Sequence, residues 1–132
     1  MKLASLRIIT KDIRQSVQFY EKAIGFTVQW YTEDFAELRT NSVTIAIGST
    51  RTMKMFHGED VTESKDQSNI IIEFLVADVD REYERIKNLT DRIIQEPTTM
   101  PWGNRSLLFR DPDGNLINFF TPVSPEAIQK FK

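Results

Sequence analysis

"SLRIITKDIRQSVQFYEKAIGF", residues 5–26, is where the fold is decided. Up to Thr10 the pattern alternates, and Leu6 and Ile8 share one strand face. From Asp12 the period changes: Ile13, Val17, Phe19, Tyr20 and Ile24 recur at helical spacing, with Asp12 placed as N-cap and Gly25 as the stop. The stretch reads as strand, then helix. The same plan returns in "IIEFLVADVDREYERIKNL", residues 71–89, at an offset of 66 residues. Asp12 matches Asp78, Ile13 matches Val79, Ile8 matches Phe74 and Leu6 matches Ile72. "FTVQWY", "FAELRT" and "VTIAIG" make three short strands after the first helix, and "RIIQ", "RSLLFR" and "NLINFF" follow the second. The repeat predicts an α+β fold of two tandem βαβββ modules, each a mixed sheet with one packed helix. Module one covers about 1–48 and module two about 69–121, within a single domain spanning 1–132.

Between the modules, 49–68 is a connection whose second half is polar. Its first half carries Met53, Met55 and Phe56, which either cap an edge of the core or lie as flexible residues over a ligand groove. Ser124 followed by Pro125 is a helix-start pair, so a short terminal helix is expected over about 124–131.

The bulk numbers narrow the classes. At 132 residues the chain buries a proper core without staples, and 40% hydrophobic with 27% charged residues is ordinary for a soluble protein. A net charge of −2 gives no support for nucleic-acid or anionic-membrane binding. The chain has no cysteine, which excludes disulfides, thiolate metal sites and cysteine nucleophiles. The N-terminal segment meets charge too soon for a signal-peptide core, and no apolar run approaches the ~20 residues of a membrane span. The expected setting is cytoplasmic.

"FRDPDGNLINFF", residues 109–120, reads as a hairpin, with Asp111, Pro112 and Gly114 at the first, second and fourth places of a type I turn. In its second strand Ile117 and Phe119 share one face, and Leu116, Asn118 and Phe120 the other. A buried amide without partners costs about 1–3 kcal/mol, so Asn118 is either satisfied or not in a core. Each strand bordering a helix leaves a second face over: Ser5 and Arg7, Thr44 and Ala46, Ile71 and Glu73, Asn118 and Phe120. This mixture of large apolar and charged residues suits a lined groove. Glu73 and Arg7 hold matching places in the two halves, joined by Glu37 and Arg39. They either neutralise the groove as ion pairs, or Arg7 and Arg39 anchor an anion while Glu73 anchors a cation or acts as a base. In "PWGNR", residues 101–105, Pro101 and Gly103 bracket a bend, and Trp102 plugs the module edge or stacks on a ligand. Trp30 and Tyr31 add aromatic surface, one of them necessarily on the helix side. His57, the one histidine, lies in the connection and makes a weak metal ligand by itself.

The duplicated plan, the opening "KDIRQSVQFYEKAIGF" and the finish "PWGNRSLLFRDPDGNLINFF" resemble the vicinal oxygen chelate superfamily, which includes glyoxalase I, extradiol dioxygenases and bleomycin resistance proteins. The likeness covers about 3–121. It implies that each module curls its sheet into a half-cup and that paired modules enclose a cavity, often across a homodimer. It also implies metal ligands on the first and last strands, which would fall at Ser5, Ile71, Asn118 and, near the loop-shifted counterpart, Thr44. None of these is an imidazole or carboxylate, so no metal or other cofactor is expected. By the same resemblance, Trp102 would stack on a planar ligand and Arg105 would bond a polar group or its own chain. The residues then point to a groove of Ser5, Arg7, Arg39, Thr44, Ile71, Glu73, Trp102, Arg105, Asn118 and Phe120. That groove would bind an aromatic or charged small molecule in a homodimer. The alternatives are a lyase, isomerase or transferase with shifted metal ligands or a Glu73 base, and a dimeric interaction module.

Overall fold

The computed structural model describes residues 3–53 and 70–132. They fall in two compact units that divide between residues 66 and 67. The first unit contains β1 (Ser5–Thr10), α1 (Ile13–Ile24), β2 (Val28–Thr32), β3 (Phe35–Leu38), β4 (Thr44–Ser49) and a one-turn helix α2 (Thr50–Met53). The second contains β5 (Ile71–Leu75), α3 (Val79–Ile86), β6 (Ile93–Thr99), β7 (Asn104–Arg110), β8 (Leu116–Pro122) and α4 (Pro125–Lys130). The two sheets have the same order, β1-β4-β3-β2 and β5-β8-β7-β6. In each, the first and last strands pair in parallel and the remaining pairs are antiparallel, so both are mixed sheets. The tandem βαβββ plan read from the sequence is the plan of the molecule.

The half-cup expectation needs correction, because neither sheet is strongly curled. Bulges bend a sheet, and here the register slips only where the outermost strands β2 and β6 join their neighbours. The inner pairings run without irregularity.

Both long helices start as the repeat predicted. Asp12 accepts a hydrogen bond from the Gln15 N–H at 3.1 Å, and Asp78 accepts one from the Arg81 N–H at 3.2 Å. Each satisfies a backbone donor that the first helical turn leaves without a partner. Gly25 closes α1 in the left-handed region at φ 79°, its N–H bonded to the Glu21 carbonyl at 2.9 Å. α1 buries Ile13, Val17, Tyr20 and Ala23 on the side that meets β4. The matching sheet face buries Ile8, Ala36, Leu38, Ile45 and Ile47. In the second unit Val79 and Ile86 of α3 are buried, as are Leu107, Phe109, Ile117 and Phe119 of the sheet. There Phe119 meets Phe74 and Phe109 edge to face, with centroids 5.7 and 5.0 Å apart, the geometry that aromatic quadrupoles favour.

α2 was not anticipated in the connection. It is held by the β2–β3 turn: the Ser49 hydroxyl donates to Asp34 Oδ1 at 2.7 Å, and Arg51 Nε donates to the same oxygen at 2.8 Å. Met53 ends this helix; its side chain and the Met55, Phe56 and His57 positions lie outside the described residues.

Candidate functional site

Strand pairing sorts the predicted site residues by face, because partners across a ladder point the same way. In the first unit, the face turned away from α1 consists of three rungs. Ser5 pairs with Thr44, and Arg39 follows one residue beyond the Leu38–Ile45 pair. Arg7 pairs with Ala46, which pairs with Glu37. Ile9 pairs with Gly48, which pairs with Phe35. The central strand therefore offers only Thr44, Ala46 and Gly48 as its floor, and charged or aromatic side chains stand on either side. Arg7 lies over the Phe35 ring, 4.8 Å from its centroid, and the Tyr31 ring tilts against Phe35 at 6.1 Å. Arg39 donates to the Tyr31 hydroxyl at 3.2 Å. That bond first, then the Tyr31 electrostatics and to a smaller extent the Glu37 charge, raise the Arg39 pKa. Trp30 is the residue on the helix side, where Arg14 of α1 stands 5.9 Å from its ring.

α2 closes one end of this face. A Cβ on Gly48 would sit 2.8 Å from Thr52 Oγ1, so glycine is what lets the short helix fold back there.

In the second unit the same rungs carry different chemistry. Ile71 pairs with Leu116, which pairs with Arg110; Glu73 pairs with Asn118, which pairs with Leu108; Leu75 pairs with Phe120, which pairs with Ser106. Asn118 Nδ2 donates to Glu73 Oε2 at 2.8 Å. This bond explains an amide in an apolar strand: it steadies the carboxylate on the neighbouring strand. It also fixes the amide's orientation, since the flipped form would set oxygen against oxygen. Asn118 Oδ1 is then buried without a hydrogen-bond partner among the described residues, as is Ser106 Oγ on the next rung of that face.

The register corrects one correspondence. Asn118 pairs with Glu73, the repeat partner of Arg7, and Arg7 pairs with Ala46. The first-half counterpart of Asn118 is therefore Ala46, not Thr44; Thr44 corresponds to Leu116. The unequal loops before the last strands concealed this in the sequence.

Two predicted groove residues stand elsewhere than expected. Phe120 is only 7% exposed, because Phe131, just past α4, packs across it at 5.1 Å. Arg105 belongs to the helix-facing side with Leu107 and Phe109. Its Nε and Nη2 each bond an oxygen of Asp80 on α3 at 2.9 Å, a bidentate pair that lowers the Asp80 pKa. Trp102 is 64% exposed in the β6–β7 turn. Beside it Gly103 has φ 95°, and its carbonyl accepts from the Val123 and Ser124 N–H groups at 2.8 and 3.1 Å, which seats the start of α4. Ser5 and Arg7 are exposed and Thr44 half-buried, while Ile71 on edge strand β5 is 46% exposed.

A divalent metal needs several imidazole, thiolate or carboxylate donors converging on one point. Among the described residues no group of three or more His, Cys, Asp or Glu has that arrangement. The positions that would hold ligands carry Ser5, Ile71, Asn118 and, with the register corrected, Ala46. These residues do not fit a metal centre. No helix among the described residues is long and apolar enough to cross a membrane.

Comparison with known proteins agrees with the architecture. Residues 2–119 match the model of the Glyoxalase/Bleomycin resistance protein/Dioxygenase superfamily, and the chain belongs to that superfamily. It is 30% identical to the uncharacterized protein YraH of Bacillus subtilis, over 91% of this chain and 98% of the relative. It is 29% identical to the bleomycin resistance protein of Geobacillus stearothermophilus, over 85% of this chain and 90% of the relative. Among solved structures, a glyoxalase/bleomycin resistance protein/dioxygenase family enzyme from Burkholderia phytofirmans superposes with a TM-score of 0.81 at 18% identity, over 93% of this chain and all of that one. At that identity the likeness speaks for the fold.

Proposed function

We propose that this protein binds a small organic molecule on the sheet faces turned away from α1 and α3, without a catalytic metal, as a cytoplasmic homodimer. The observation that carries the reading is the exchange of residues at the superfamily's ligand positions. Metal donors are replaced by Ser5, Ala46, Ile71 and Asn118, while the rungs beside them keep a braced arginine, aromatic rings and a carboxylate. Such a surface has the parts for recognition and, among the described residues, lacks the converging donors for Lewis-acid chemistry. The similarity to a bleomycin resistance protein supports a binder over a catalyst.

Differential scanning fluorimetry with aromatic, peptidic and phosphonate compounds tests it. At least one class should raise the melting temperature by about 2 °C or more at saturating concentration. No shift with any class, and no chemical-shift change at Arg7 or Glu73 on titration, overturns the proposal.

The Asn118–Glu73 bond supports a second reading, in which Glu73 is a general base held in place by the amide. Stoichiometric divalent metal after purification without chelators, or a turnover abolished by Glu73→Gln, would make the protein an enzyme of its superfamily instead.

A further inference from the structure

We propose that the second unit binds a planar aromatic cation against Phe120, Asn118 and Glu73, and that the Phe131 ring occupies this seat in the free chain. The inference deepens the small-molecule reading and rests on it. Its first support is a group of polar atoms left without partners. Ser106 is 5% exposed, and its hydroxyl has no hydrogen-bond partner among the described residues. The same holds for the buried Oδ1 atoms of Asn104 and Asn118. All three residues lie on the sheet face turned away from α3. Ser106 pairs with Phe120, Asn118 stands two positions before Phe120 on β8, and Asn104 two positions before Ser106 on β7. Phe120 is thus flanked by groups able to accept a hydrogen bond. Unpaired buried polar atoms are costly, and several on one face call for a donor from outside the chain.

The second support is the cover. Gly48 and Phe120 hold matching places in the two sheets, and in both units the chain folds back over that place after the last strand. In the first unit α2 is tied down, with Ser49 and Arg51 both bonded to Asp34. In the second unit no side chain of residues 125–132 makes a hydrogen bond or ion pair among the described residues. Within α4 only Ala127 is buried. What holds Phe131 down is its ring against the Phe120 ring, 5.1 Å between centroids. A contact of that kind can be exchanged for another aromatic ring.

The third support is the chemistry of the occupant. Glu73 is exposed on the Asn118 rung, steadied by the amide at 2.8 Å, and no cation pairs with it among the described residues. The occupant the chain itself supplies joins a ring to a positive charge: the Lys130 ammonium lies 5.4 Å from the Phe131 centroid. A ligand that carries a forked N–H cation on its ring combines both features. Its ring would take the place of Phe131, and its N–H groups would meet the Glu73 carboxylate and Asn118 Oδ1.

Titration of the full chain with three probes of one shape, benzamidinium, benzamide and benzoate, followed by calorimetry or NMR, tests this. Benzamidinium should bind about tenfold or more tightly than the other two. Glu73→Gln should bring it down to the level of benzamide. Phe131→Ala should tighten benzamidinium and benzamide several-fold, because the competing ring is gone. Both variants should keep the circular dichroism spectrum of the parent. A Phe131 that only props up the fold would lower the melting temperature on removal and give no gain in affinity. If Phe131→Ala leaves the affinities unchanged or weaker, or benzamide or benzoate binds as tightly as benzamidinium, the assignment is wrong. If no probe binds either protein while the fluorimetry panel gives a shift, this site alone is wrong; with the panel silent as well, both readings are.

Discussion

Asp111 shows how much one residue can organise. It is fully buried, yet its carboxylate accepts from the Asp113 and Asn115 N–H groups at 2.9 and 2.8 Å and from the Asn115 amide at 2.8 Å. Arg92 donates to its carbonyl at 3.0 Å. Asp111→Ala would leave those donors inside the hairpin without an acceptor. The expected loss is about 2–4 kcal/mol in urea unfolding. Gly103 is the second such position. Its φ of 95° disfavours any side chain, and a Cβ there would sit 2.0 Å from Ser124 Oγ. Gly103→Ala should therefore lower stability by at least about 2 kcal/mol and loosen α4, a change visible as faster amide exchange at Ala127 and Ile128. The turn around Asp111 was legible in the sequence because the bonds its carboxylate accepts span four residues or fewer; the Arg92 bond, 19 residues away, was not. The burial of Phe120 was not, since it depends on Phe131 returning over the strand after a helix.

At the scale of elements, helix starts and strand order followed from local chemistry and from the repeat. Asp12 and Asp78 announce their helices within four residues, and alternation assigns Ile8, Ile45 and Ile117 to the core. The same alternation sets Arg105 beside Leu107 and Phe109, although the resemblance had placed it in the groove; its partner Asp80 on α3 came only from the structure. What alternation leaves open is register between strands joined by loops of different length, and this is why Ala46 rather than Thr44 answers to Asn118. α2 gave no periodic signal at four residues; its anchor is Asp34, fifteen positions back from Ser49. Two of these inter-element ties titrate. Asp34, bonded by Arg51 and then Ser49, and Asp80, bonded by Arg105, both have pKa values below the ordinary 3.8. A carboxylate whose folded-state pKa is depressed stabilises the fold fully above its unfolded-state value. That contribution is lost as pH falls through the folded-state value. The melting-temperature gap between the parent and Asp80→Asn should therefore be constant near neutrality and close as pH drops from about 4 to about 2. A gap that widens in acid would contradict the assignment.

For the whole molecule, the family and the tandem plan could be read before any coordinates, because a 66-residue repeat is a global signal. The chemistry of the open faces was only half legible, since residue types were visible but rungs were not. Edge strand β5 leaves Ile71 and Leu75 exposed at 46% and 54%, with Ile70 beside them at 63%. Exposed apolar side chains along a sheet edge, here on either side of Glu73, are a common signature of association. Sedimentation equilibrium at micromolar concentration should give twice the monomer mass, and Leu75→Asp should shift the population toward the monomer. A parent that sediments as a monomer throughout would remove the dimer from the proposal.

Arg39 and Arg110 are twins by position, but only Arg110 is moored to a hairpin carbonyl. Replacing Arg110 therefore removes a tie inside its own hairpin, whereas replacing Arg39 removes a bond between two exposed side chains.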